Sequence, residues 1–94
     1  MAKASFNGVV IAESDDIEIT DGNPYFPPDC IQRDYLEDSP KTSECSWKGT
    51  AKYYDVVVNG EIAEAAAWYY PEPKPEAEHL KGRVAFWGKV EVEK

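Results

Sequence analysis

Only two cysteines and one histidine occur in the 94 residues, and nowhere do they fall at zinc-ligand spacing, so no metal centre is expected. No apolar run approaches the roughly 20 residues of a membrane-spanning helix. Met1 to Glu13 also lacks the basic start and apolar centre of a secretory signal. The expectation is a soluble, cytoplasmic protein with no membrane partner, in which Cys30 and Cys45 are free thiols. Positive charge is scarce as well: 10 Lys and Arg face 18 Asp and Glu, for a net charge of −8. That acidity argues against nucleic acid as a partner, because affinity for its backbone comes from cations that replace counterions. Helical spacing of apolar residues nowhere persists beyond about two turns. The glycine-rich loops that cradle phosphates, Gly-x-Gly-x-x-Gly and Gly-x-x-x-x-Gly-Lys-Ser/Thr, are absent.

What is present is a large apolar and aromatic content, 43% and 13%, too much for a disordered chain. Size scaling predicts one domain over residues 1–94 with a folded surface of about 5,500 Å². Two Asn-Gly pairs flanked by β-prone residues predict hairpins, since Asn-Gly supplies the two positive-φ positions of a type I′ turn. The first joins Ala2 to Phe6 with Val9 to Glu13, and the second joins Tyr53 to Val58 with Glu61 to Trp68. Ile17-Glu18-Ile19 alternates as a half-buried strand, with Asp21-Gly22-Asn23-Pro24 ending it. Arg83 to Phe86 and Lys89 to Lys94 are read as short strands bent at Gly88. One short helix is predicted over Pro75 to Lys81, with proline at its start, acids in its first turn and Gly82 beyond its end. Ala65-Ala66-Ala67 favours helix by propensity, but its place between a hairpin turn and Trp68-Tyr69-Tyr70 assigns it to a strand. Pro24 to Asp29 and Pro71 to Pro75 are read as stiff connectors. The fold class is therefore mainly β, a single small antiparallel barrel or sandwich with two Asn-Gly hairpins and one short helix.

Charge is unevenly spread, with Arg33 the sole cation among residues 13–40 and a surface pair with Asp34 or Asp29 its default role. Lys41, Lys48 and Lys52 then cluster around Cys45-Ser46-Trp47-Lys48-Gly49-Thr50. A lysine charge, a glycine that lets a ligand approach the backbone and a tryptophan for stacking are what a small anion site uses. The competing structural reading makes Lys48-Gly49 a turn. The candidate ligand-binding residues are Cys45, Trp47, Lys48, Gly49, Trp68 and Tyr70, with the rings packing the core or lining a pocket. No catalytic constellation is assembled: Cys45 has only His79 as a conceivable base. The leading expectation is a non-catalytic binding or interaction module for a small anionic ligand, with no cofactor. The alternative is an enzyme that acts on a nucleotide-like or other small anionic substrate through Cys45 or Lys48.

The stretch from Tyr35 to Tyr54, with Cys45, Lys48 and Gly49 at its core, resembles the domain of unknown function 427 family. So do Ala66-Ala67-Trp68-Tyr69-Tyr70-Pro71-Glu72-Pro73, Gly82-Arg83-Val84-Ala85-Phe86, Phe6-Asn7-Gly8 and Tyr25-Phe26-Pro27-Pro28. The resemblance implies a small β-rich domain of bacterial type, sometimes labelled nucleotidyltransferase-like, and brings no established activity or catalytic residues. Metal-dependent nucleotidyl transfer uses clustered carboxylates. Asp15-Asp16 is the nearest pair here, and adjacent residues of a strand would point to opposite faces.

Overall fold

The computed structural model describes residues 1–94 and contains nine strands. They are β1 (Ala2–Phe6), β2 (Val9–Ser14), β3 (Glu18–Thr20), β4 (Asn23–Tyr25), β5 (Leu36–Cys45), β6 (Gly49–Val58), β7 (Glu61–Tyr69), β8 (Val84–Phe86) and β9 (Glu91–Glu93). All pair antiparallel in three sheets, ordered β2-β1-β9, β3-β4 and β5-β6-β7-β8. The mainly β expectation holds, and separate sheets exclude the barrel alternative. The accessible surface, 5352 Å², matches the size scaling.

Both Asn-Gly hairpins form, with Asn7, Gly8, Asn59 and Gly60 all at positive φ. A third hairpin was not expected. Asp21 (φ 53) and Gly22 (φ 80) end β3 as expected and turn it into β4, so that Asn23 and Pro24 belong to a paired strand. Pro24 lies inside β4, which pairs only with β3 and so has a free side on which a missing N–H costs nothing.

Strand β5 departs most from expectation, which placed no strand there. Its sequence, LEDSPKTSEC, is polar and mostly exposed, and it forms the outer edge of the four-stranded sheet. A proline and several charges suit an edge strand, where they also discourage pairing with another chain. The register with β6 shifts between Asp38 and Thr42, around Pro40.

The predicted helix is two short 3-10 turns over Pro75–Leu80, broken at Ala77 (φ −117, ψ 20). Six residues are too few to repay α-helix nucleation. What holds the segment is burial of Ala77 and Leu80, three apart, beneath the sheet. Further 3-10 turns occur at Pro28–Cys30 and Arg33–Tyr35.

The four-stranded sheet is buried on both faces. Val56 and Val58 of β6, with Ala63, Ala67 and Phe86, meet Ala2, Ala4, Ile11 and Val90 of the three-stranded sheet in the larger core. The odd positions Ala51 and Tyr53 turn to the other face and join Tyr25, Tyr70, Leu80 and Ala85 in a second core. No helix is long and apolar enough to cross a membrane.

Candidate functional site

The turn between β5 and β6 is Ser46-Trp47-Lys48, closed by pairing of Cys45 with Gly49. Two bonds fasten it to the Pro71–Pro75 connector: Lys74 N donates to Lys48 O at 2.9 Å, and Lys74 Nζ donates to Ser46 O at 2.7 Å. Held there, the Lys48 side chain folds inward until the residue is 7% exposed. Its Nζ donates to Asp21 Oδ2 at 2.6 Å and lies 5.3 Å from the Trp47 ring centroid and 5.7 Å from that of Tyr70. Both distances are within cation–π range.

Lys41, Lys48, Tyr53, Trp68, Tyr70 and Trp87 line an open cleft of about 300 Å³. Each wall is positioned by a separate contact. Trp68 Nε1 donates to Tyr25 Oη at 3.1 Å while its ring packs on Tyr25 edge to face. Tyr53 Oη shares a 3.0 Å hydrogen bond with Ser43 Oγ. Trp87, 49% exposed, is tied to β7 through Nε1, which donates to Ala65 O at 2.7 Å. The exposed Lys41 arches over the rim, 4.7 Å from the Tyr53 centroid and 5.4 Å from that of Trp87.

Burial pulls the Lys48 pKa down. The Asp21 hydrogen bond, with the negative charges that Tyr25, Tyr70 and Asp21 can carry, outweighs it, and the net shift is upward. Lys48 is therefore a fixed cation at neutral pH, unsuited to act as a base or an amine nucleophile. Tyr70 is also pushed up, by burial first and the negative charge of an ionised Tyr25 second, with Lys48 opposing.

The six residues singled out from sequence divide. Lys48, Trp68 and Tyr70 share the cleft, and Trp47 covers Lys48. Cys45 and Gly49 line a different depression with Glu44, Ser46, Thr50 and Lys74. Gly49 (φ +112) is approached by the protein's own backbone: a Cβ there would meet Glu72 O at 3.4 Å and Lys74 N at 3.5 Å. Lys52, the third lysine of the cluster, borders another depression beside Tyr69. His79 is exposed and makes no hydrogen bond to Cys45. Both cysteines are free thiols, and burial raises the Cys30 pKa, which makes that thiol a poor nucleophile.

Trp87 and Asp21 escaped sequence reasoning, whereas Lys41 was already grouped with Lys48 by its charge. Trp87 was visible only as a ring, with nothing local to join it to Lys48. Asp21 was hidden in a turn motif, 27 residues from its partner. Asp15 and Asp16 lie in the loop between β2 and β3, and each has a partner: Asp15 takes the Met1 ammonium, and Asp16 takes Arg83 at 3.2 Å. Arg33 forms no ion pair and instead approaches Tyr54 Oη at 3.4 Å. No three His, Cys, Asp or Glu side chains gather as a metal-ligand set.

The family model described as a domain of unknown function, DUF427, matches residues 1–94. The chain belongs to the DUF427 family. No curated protein matches it. For this DUF427 domain the geometry of the cleft is what bears on function.

Proposed function

We propose that this DUF427 domain is a non-catalytic binding module whose cleft takes a small ligand with a planar ring and an anionic group. The observation that carries the reading is the convergence of two lysines and four aromatic rings on one cleft of a protein with net charge −8. An anion meets least repulsion there, and the rings of Tyr53, Trp68 and Trp87 offer stacking area for an apolar body. Catalysis through Lys48 is disfavoured by the upward shift of its pKa. Catalysis through Cys45 is disfavoured because no base is hydrogen-bonded to it.

The test is a titration of ¹⁵N-labelled protein with phenyl phosphate, benzoate and benzylamine, read at the indole N–H signals of Trp68 and Trp87. Phenyl phosphate shifts both signals, and Lys48→Met weakens its binding by roughly 10- to 100-fold, the loss of one charge-assisted hydrogen bond of about 1.5–3 kcal/mol. Preference for benzylamine, or equal binding by wild type and Lys48→Met, removes the anion from the reading.

A further inference from the structure

The lysine at the base of the cleft already has an anion. Asp21 reaches it from the tip of the β3-β4 hairpin, a two-stranded sheet of three-residue strands. The Asp21 side chain is 58% exposed while that of Lys48 is 9% exposed. The cation is thus buried and its partner is an exposed carboxylate on a turn, which water can solvate if the bond opens. Asp21 does not line the cleft, whereas Lys48 does.

Building on the anion-and-ring reading above, we infer that Asp21 is a built-in competitor for Lys48, restricting the cleft to head groups more negative than a single carboxylate. A ligand carboxylate offers Lys48 nothing that Asp21 does not supply from within the chain, where tethering gives it a high effective concentration. A phosphate monoester has nearly two charges at neutral pH and three acceptor oxygens. It can therefore take over Lys48 and use the unpaired Lys41, whose ammonium stands over Tyr53 and Trp87 at the rim. The ligand class is accordingly a ring carrying a phosphate-type dianion, and opening of the Asp21–Lys48 bond accompanies its entry.

Asp21→Asn tests the idea with little disturbance of the turn, since asparagine tolerates the positive φ of 53° as well as aspartate does. Wild type and Asp21→Asn are titrated at pH 8 with phenyl phosphate, benzoate and the neutral benzyl alcohol, again read at the Trp68 and Trp87 indoles. In wild type, phenyl phosphate binds at least about tenfold more tightly than benzoate. In Asp21→Asn both anions gain about tenfold, the effect of removing one competing charged hydrogen bond, and benzyl alcohol is unchanged. Anion binding that is equal or weaker in Asp21→Asn makes Asp21 a structural partner only and overturns the inference, as does equal binding of benzoate and phenyl phosphate by wild type. Failure of every probe to move either indole in both proteins overturns the underlying reading instead. A measurement on wild type alone guards against an unstable variant: with saturating phenyl phosphate, the amides of Glu18–Thr20 exchange faster because the hairpin has lost its tie to Lys48. Unchanged or slower exchange refutes the displacement.

Discussion

Lys48 and Asp21 form one bond but sit in different surroundings, and that makes their substitutions unequal. Lys48→Met removes a charge from a buried position and keeps most of the stem, while the 58% exposed Asp21 carboxylate returns to water. No charge is left buried and unpaired, and a pair with one exposed partner is worth little, so the change in unfolding free energy is expected within about 0.5 kcal/mol. Asp21→Asn leaves the buried ammonium with a weaker acceptor and costs about 1 kcal/mol, discounted because solvent reaches the site. Urea denaturation of the two variants checks the order, and a larger loss in Lys48→Met contradicts it. Gly49→Ala is expected to cost more than either, roughly 1–3 kcal/mol. Its φ of +112 is unfavourable for any side chain, and the new Cβ meets the Glu72 and Lys74 backbone. The same urea series measures it.

At the level of the element, β7 carries a break in register that shapes the cleft. Pairing with β6 shifts between Tyr54 and Val56, and inside the irregularity Ala65 has φ 49. Asp55 Oδ1 accepts the Ala65 N–H at 2.7 Å, which stabilises this conformation, and Ala65 O then receives Trp87 Nε1. Asp55 is thus a positioning residue for the Trp87 wall. Asp55→Ala is expected to destabilise by about 1–2 kcal/mol and to shift the Trp87 indole N–H signal. An unmoved Trp87 signal would separate the bulge from the cleft. Ala65→Gly relieves the positive φ and is expected to stabilise by a few tenths to about 1 kcal/mol, read as a higher denaturation midpoint.

Across the whole molecule, the shifted groups make stability sensitive to alkali. Tyr69 is pushed up to about 12 from 10.0, by burial first and then by the adjacent Tyr54 hydroxyl and charge. Tyr70 and Lys48 also lie above their ordinary values. A group with a raised folded pKa binds its proton more tightly when folded, so its contribution is whole below the unfolded pKa and is lost as pH rises through the folded one. For the tyrosines the decline begins near 10.0 and for Lys48 near 10.5, the unfolded values. Denaturation midpoints are expected to change little on account of these three groups between pH 7 and 9 and to fall from pH 10 to 12. Tyrosine absorbance should show a fraction of the six rings ionising late. A midpoint that rises between pH 10 and 12 would contradict the shifts.

Local chemistry was sufficient for the Asn7-Gly8 and Asn59-Gly60 hairpins, because a type I′ turn needs only its own two residues and the apolar alternation beside them. Ala65-Ala66-Ala67 lies in a strand against its own helical propensity, as its place between a hairpin turn and Trp68-Tyr69-Tyr70 implied. Strand β5 was not legible: an edge strand is polar and tolerates proline because one side pairs with nothing, so its sequence resembles a loop. The helix expected over Pro75 to Lys81 had the right end signals, yet its length left packing of Ala77 and Leu80 to decide its form. In the site, residue types near Lys48 marked a charged and aromatic segment. The cleft itself is joined from β5, the β5-β6 turn, β6, β7 and the segments after β7 and β8. Trp68 and Tyr70 came into it because successive strand residues alternate, and Cys45 and Gly49 were left outside it by the turn's attachment to Glu72 and Lys74. The pairing of Asp21 with Lys48 depends on two hairpins meeting in space, which no local pattern encodes, and only tertiary structure decides it.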